Sequence, residues 1–282
     1  MAMKIWWQNI FPPQEQMEKE INLKTPVSVE HAKQKLLENL KRVSRPDTQV
    51  DVYDLKHSAY MIETPYLEML NNVWLIEGVI EAEKQGYDAA IIGCANDPAL
   101  QQARQAVNIP VVAPTEAATL LACMLGSRFG MITVMDELIA FCDRNIRNYG
   151  LEARLARPIR VFQMGQNWVS FLFEMMVNPQ IIQPQFDELC RACVADGAEV
   201  ILPECCALSP AVTMLGYHEV PGTGVPILDV THAAVKMAET LVDLKRSIGL
   251  GKAMRGIYKS VAPEIRDAMR SLALPAAATA VF

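Results

Sequence analysis

Two cysteines occupy matching places in two copies of one sequence pattern. Residues 86–94, GYDAAIIGC, align without a gap on residues 197–205, GAEVILPEC: a turn glycine, an acidic residue, an apolar strand-like run and then a thiol, Cys94 or Cys205. Downstream, Ile109, Pro110, Val111 and Val112 followed by Thr115, Ala117, Ala118 and Ala122 are matched by Val225, Pro226, Ile227 and Leu228 followed by Thr231, Ala233, Ala234 and Ala238. This is an internal duplication. Two like halves related by a pseudo-twofold would bring the two strand ends to a shared cleft, where two thiols could face one bound molecule from opposite sides.

The local setting of each thiol favours chemistry. Asp97-Pro98 and Ser209-Pro210 each read as a helix N-cap followed by proline at the first helical position, so each cysteine is expected in a tight loop between a strand end and a helix start. The unpaired amides and positive pole of such a helix would lower a thiol pKa. One ambiguity stays open. Counted from the turn glycine, Cys94 matches Cys205; counted back from the helix cap, it matches Cys206, the fallback. The plainer reading of any one such cysteine is a small buried hydrophobe.

The elements that must position these residues alternate. Strands are expected at 4–9, 49–55, 88–93, 128–134 and 158–163, with further strands running into Cys205 and over 225–229. Helices are expected at 27–42 with Ser28 as N-cap, at 64–84, 136–149 and 181–195, and after each crossover. Alternation of this kind predicts an α/β fold: two pseudo-symmetric Rossmann-like αβα domains with mainly parallel sheets and the active site in the cleft between them. Because the last helical segment follows the second crossover, the domains interleave: 1–114 plus 226–282 form the first, carrying Cys94, and 115–225 the second, carrying Cys205.

Composition narrows the function classes. The 282 residues are about half apolar, enough for a large core, and carry 26 Lys and Arg against 32 Asp and Glu. A net charge of -6 without basic clusters argues against nucleic acid or an anionic membrane as partner. The opening residues lack a signal-peptide pattern and no apolar run is long enough to span a bilayer, so a cytoplasmic protein is expected. Seven cysteines, an odd number, suit reduced thiols. The assembly is expected to be a homo-oligomer.

The passages GCANDPALQQAR at 93–104, IPVV at 109–112, FGMIT at 129–133, GAEVIL at 197–202, VPILD at 225–229 and AAVKMAE at 233–239 resemble the aspartate/glutamate/hydantoin racemase superfamily, its hydantoin racemase branch above all. The resemblance implies a racemase or epimerase without metal or organic cofactor. In that superfamily two cysteines on opposite faces of a small-molecule substrate exchange the proton on a carbon beside a carbonyl. Three features depart from the pattern. Pro203-Glu204 precedes the second thiol where the family usually has a small residue. The first strand ends Gln8-Asn9-Ile10 in place of asparagine-proline-asparagine. Residues 11–47 form a longer stretch than the family's.

Read through the resemblance, one of Cys94 and Cys205 removes an α proton while the other protonates the carbanion from behind. A hydantoin or allantoin ring suits this, since its carbanion is an enolate that amide donors can hold. Asn9, Asn96 and Thr133 are the candidate substrate contacts, against the plainer reading of loop residues satisfying local backbone. A carboxylate at Glu204 would raise the neighbouring thiol pKa unless it points away. The alternatives are a cysteine-dependent decarboxylase or cis-trans isomerase of a small dicarboxylate, and a non-catalytic binding protein on the same fold. Cys190 and Cys193, with Cys123 and Cys142, read as buried helix faces. Thr115 and Thr231 read as helix caps, with Glu116 and His232 beside them. Trp6, Trp7 and Trp168 read as core or oligomer contacts.

Overall fold

In the computed structural model, which describes residues 2–55, 57–58 and 62–274, the two copies of the pattern become strands of two parallel sheets. Residues 275–282, the end of the expected first domain, lie outside the described residues. The first sheet is built from β1 (Met3–Gln8), α1 (Gln14–Ile21), α2 (Val29–Val43), β2 (Thr48–Tyr53), α3 (Pro65–Lys84), β3 (Ala89–Ile92), α4 (Leu100–Ala106) and β4 (Val111–Val112). Its strand order is β2-β1-β3-β4, all parallel.

A crossover helix, α5 (Pro114–Leu125), leads to the second sheet. There follow β5 (Phe129–Thr133), α6 (Ile139–Asn148), β6 (Leu155–Val161), α7 (Trp168–Val177), α8 (Gln183–Ala195), β7 (Val200–Pro203), α9 (Leu208–Met214), β8 (Glu219–Val220) and β9 (Val225–Pro226). The parallel order β6-β5-β7 repeats β2-β1-β3, and Ile227 adds one parallel bridge to Ile201 where β4 stands in the first sheet. The chain then runs through α10 (Val230–Ile248), which packs against α5, α2 and β3, and ends its described part in α11 (Pro263–Ala273).

Every residue of β3 and β7 is buried, as parallel strands covered on both faces must be. Helix starts follow local chemistry. Ser28 Oγ accepts the His31 N–H at 2.9 Å to begin α2, and Thr64 caps α3 ahead of Pro65. α10 stops at Gly249, whose φ of 72° suits a residue without Cβ.

Some expected elements shift. The strand expected at 158–163 runs over 155–161, and the helix expected at 136–149 opens with a 3-10 turn before α6. Three helices, α1, α7 and α11, escape the sequence reading. α7, with the sequence WVSFLFEMMV, is apolar on nearly every side and has no periodic stripe to read. Among the described residues no helix is long and apolar enough to cross a membrane.

Candidate active site

β3 and β7 end at one cavity of about 140 Å³, far more than a water needs, so the space suits a small organic molecule. Cys94, just beyond β3, lines it, and so do Cys205 and Cys206, just beyond β7. The walls are mostly apolar: Val29, Ala32 and Leu36 from α2, and Trp168, Leu172 and Phe173 from α7. The longer stretch at 11–47 and the unread helix α7 therefore build much of the chamber.

The backbone resolves the alignment of the second thiol. Gly93 N–H donates to Gln8 O at 2.8 Å and Glu204 N–H donates to Ile132 O at 2.8 Å, each to the neighbouring central strand of its own sheet. One residue on, Cys94 N–H donates to Ile92 O and Cys205 N–H to Pro203 O. The sulfurs repeat the match: Cys94 Sγ accepts from Asn96 N–H at 3.5 Å, and Cys205 Sγ from Ala207 N–H at 3.4 Å. Cys205, not Cys206, occupies the position equivalent to Cys94.

The helices after the thiols do not start as expected. α4 begins only at Leu100, after Asp97 and Ala99 take left-handed φ values of 47° and 55°. Asp97 instead caps a different helix: its carboxyl accepts Thr115 N–H at 3.0 Å and Glu116 N–H at 2.7 Å at the start of α5, and Tyr149 OH at 2.6 Å. Ser209 lies inside α9, and its Oγ accepts Val230 N–H at 2.9 Å at the start of α10. The N-caps of α5 and α10 are Ala113 and Asp229, so Thr115 and Thr231 are second helical residues rather than caps.

The expected lowering of the thiol pKa is also reversed. Burial pushes Cys94 well above its ordinary value, against the pull of the Asn96 amide. Burial likewise raises Cys205, opposed by the Leu208 and Ala207 amides. One or two N–H groups cannot replace the hydration that a thiolate loses in this chamber. Both cysteines therefore rest as neutral thiols at neutral pH.

Two polar atoms at the cavity are left without partners. Asn96 Nδ2 and Glu204 Oε1 are buried and make no hydrogen bond, although both residues line the space. Burial pushes the Glu204 carboxyl up to about 8, and Asp97 to about 7. Glu204 is thus an uncharged acid near neutral pH, which removes the carboxylate the sequence placed beside Cys205.

The Asp/Glu/Hydantoin racemase profile matches residues 21–238. A hydantoin racemase of Pseudomonas sp. (strain NS671) is 33% identical over 205 residues, covering 72% of this chain and 78% of that relative. The chain belongs to the Asp/Glu/Hydantoin racemase family. A hydantoin racemase of Rhizobium meliloti is 29% identical over 248 residues, covering 88% of this chain and 96% of the relative. In fold, the chain is similar to allantoin racemase from Klebsiella pneumoniae, with a TM-score of 0.73 at 22% identity over 93% of this chain and 94% of that one. Membership in this racemase family makes the chain an enzyme of the isomerase class.

Seen as a family member, the chain commits its other candidate residues unevenly. Asn9 lines the cavity, but its amide is engaged: Oδ1 accepts from Trp7 Nε1 at 3.1 Å and Nδ2 donates to Asp54 at 2.9 Å. Thr133 is buried at the end of β5 with its hydroxyl beside Cys142, and it is not brought to the cavity. Glu116 is paired with Arg104, and His232 Nε2 meets Asn39 O at 3.1 Å, both away from the chamber. Cys142, Cys190 and Cys193 are buried within helices. Trp6 and Trp7 are core, whereas Trp168 faces the cavity. The sequence reading missed the walls from α2 and α7; the extra length of 11–47 was a signal for α2 alone.

Proposed function

We propose that this chain racemises a small cyclic amide with an acidic α carbon, a 5-substituted hydantoin or allantoin, by proton exchange between Cys94 and Cys205. The observation that carries the reading is the paired setting of the two sulfurs, each at the end of an equivalent strand, each facing one cavity and each accepting the N–H of the residue two places on. Family membership supplies the reaction class.

In this reading one cysteine works as thiolate and the other as thiol. The thiolate takes the α proton from its face, and the opposite thiol delivers its own proton to the other face. This leaves the product with inverted configuration and the two sulfurs with exchanged protonation. Their raised pKa values suit the task, because a thiolate held in a dry site is a stronger base towards a weakly acidic carbon. In this reading Asn96 Nδ2, the unpaired donor of a lining residue, hydrogen-bonds the carbonyl oxygen on which enolate charge gathers. Asn9 serves in the wall, and Thr133, away from the cavity, takes no part. The division into 1–114 with 226–282 and 115–225 is proposed to follow the same two halves, one thiol from each.

The charge of the lining argues against a dicarboxylate as substrate. Among the described residues Lys33 is the cavity's cation, and it is ion-paired with Asp54 at 2.8 Å. Two substrate carboxylates would meet no free positive charge among the described lining residues. The test is proton exchange in deuterated water with single enantiomers of 5-substituted hydantoins, allantoin and small dicarboxylates. Inversion with deuterium uptake confined to the cyclic amides is expected, and turnover of dicarboxylates alone would overturn the reading.

A further inference from the structure

We propose that Glu204 recognises a ring N–H of the substrate, acting as a neutral acid whose Oε1 accepts that hydrogen bond. The proposal rests on the racemase reading and adds the residue that selects for an unsubstituted cyclic amide.

The proton count around Thr115 supports it. Thr115 Oγ1 lies within hydrogen-bond reach of two oxygens, the Ala95 carbonyl and Glu204 Oε2, the latter at 2.7 Å. A hydroxyl has one proton, and a backbone carbonyl only accepts. Both contacts are satisfied when Thr115 donates to Ala95 O and the acid donates its Oε2 proton to Thr115 Oγ1. The other carboxyl oxygen, Oε1, is then a carbonyl acceptor with its lone pairs unused, on a residue that lines the chamber. It is buried without a partner in a residue that is 3% exposed. A buried acceptor left empty is destabilising, and a ligand N–H would recover that loss.

The equivalent position in the other half shows that this side chain is particular to one side. Gly93 stands before Cys94 as Glu204 stands before Cys205, and a Cβ on Gly93 would strike the Trp7 indole and the Gln8 carbonyl. The first half has no room for a side chain there, so the acceptor comes from the second half alone. Asn96 Nδ2 supplies the complementary free donor. One free donor and one free acceptor on residues of the same cavity are the two partners that the H–N–C=O edge of a cyclic amide needs. A neutral acid also fits beside Cys205 better than a carboxylate, since it accepts the N–H without opposing the thiolate.

The test compares calorimetric affinities of 5-benzylhydantoin and its N1-methyl and N3-methyl derivatives for the wild-type enzyme, Glu204→Leu and Glu204→Gln. Wild type is expected to bind one of the methyl derivatives roughly 10- to 100-fold more weakly than the parent, the cost of an unpaired buried acceptor. Glu204→Gln should keep that preference, because its amide N–H can donate to Thr115 while its oxygen stays on the cavity. Glu204→Leu should bind the parent about 10-fold more weakly and lose the preference. Equal parent-to-methyl ratios in wild type and Glu204→Leu would overturn the proposal.

Infrared difference spectra of wild type against Glu204→Gln give a readout that does not need the leucine variant to fold. A protonated-carboxyl band that moves to lower frequency with the parent, and stays put with the discriminated methyl derivative, is expected. A carboxylate band alone would refute the assignment. The two readings fail separately. Binding with this preference but no inversion would sink the racemase reading and keep Glu204's role, whereas inversion without the preference would do the reverse. Failure to bind any of the hydantoins sinks both.

Discussion

Arg144 on α6 holds Glu68 on α3 through two 2.7 Å hydrogen bonds, Nη1 to Oε2 and Nη2 to Oε1. The pair joins one half of the molecule to the other beside the loop that carries Asn96. Asn145, next in sequence to Arg144, donates to Asn96 O at 2.8 Å, and Arg144 Nη2 reaches the same oxygen at 3.5 Å. The loop after Cys94 is therefore fixed from the opposite half.

Removing the clamp leaves the Glu68 carboxylate, only 6% exposed, without its partner. Arg144→Ala is expected to cost about 1–3 kcal/mol of stability, moderated because the arginine itself is partly exposed to solvent. Arg144→Lys should recover only part, since an ammonium cannot make both parallel bonds. Urea unfolding of the three proteins measures this. Values within error of wild type for Arg144→Ala would show that the pair carries no load.

Replacing either paired thiol should stop inversion in both directions. Cys94→Ser and Cys205→Ser are each expected to lose roughly 100- to 10,000-fold in turnover, the usual contribution of a positioned acid or base. Each variant can still exchange the α proton of the one enantiomer that faces its surviving thiol, which proton NMR in deuterated water reads. Cys206→Ser should lose far less. Full turnover by Cys94→Ser would end the two-thiol mechanism.

Activity should rise with pH beyond neutrality. Burial holds both thiols above the ordinary thiol value, so the fraction of enzyme carrying one thiolate grows as pH climbs towards and past that value. The expected kcat/KM profile has its rising limb on the alkaline side. A profile already flat at pH 6 would mean that a thiolate exists in the free enzyme.

Stability should move the other way. Glu204 and Asp97 have folded-state pKa values of about 8 and about 7, above the ordinary carboxylate values of 4.5 and 3.8. The native state then binds more protons than the unfolded chain across that interval. Their contribution is complete below about pH 4 and is withdrawn as pH rises to about 8, by up to about 1.4 kcal/mol per pH unit for each group. Glu204→Gln should unfold with a shallower dependence between pH 5 and 8 than wild type, to be checked by thermal melts on that pH series. Parallel curves would show that Glu204 is ionised throughout.

Gly93 tolerates no side chain. Gly93→Ala forces a Cβ into the Trp7 indole and the Gln8 carbonyl, both fixed in the core of the first sheet. A loss of about 1–3 kcal/mol is expected in the same unfolding assay.

The duplication at 86–94 and 197–205 was enough to give the α/β class and the parallel strands, because alternating apolar runs, turn glycines and helix starts are local features. It also singled out Cys94 and Cys205, whose equivalence the backbone bonds of Gly93 and Glu204 express. What folding decided is non-local. Asp97 and Ser209 read as caps of the helices that follow them, yet they bind the amides of α5 and α10, elements 18 to 21 residues onward that the fold brings against them. The thiol pKa reversed for the same reason: sequence shows the amides near a cysteine, while burial depends on walls contributed by α2 and α7. Glu204 changed most, since an acidic residue reads as an anion until the surrounding chain withholds the water that would ionise it.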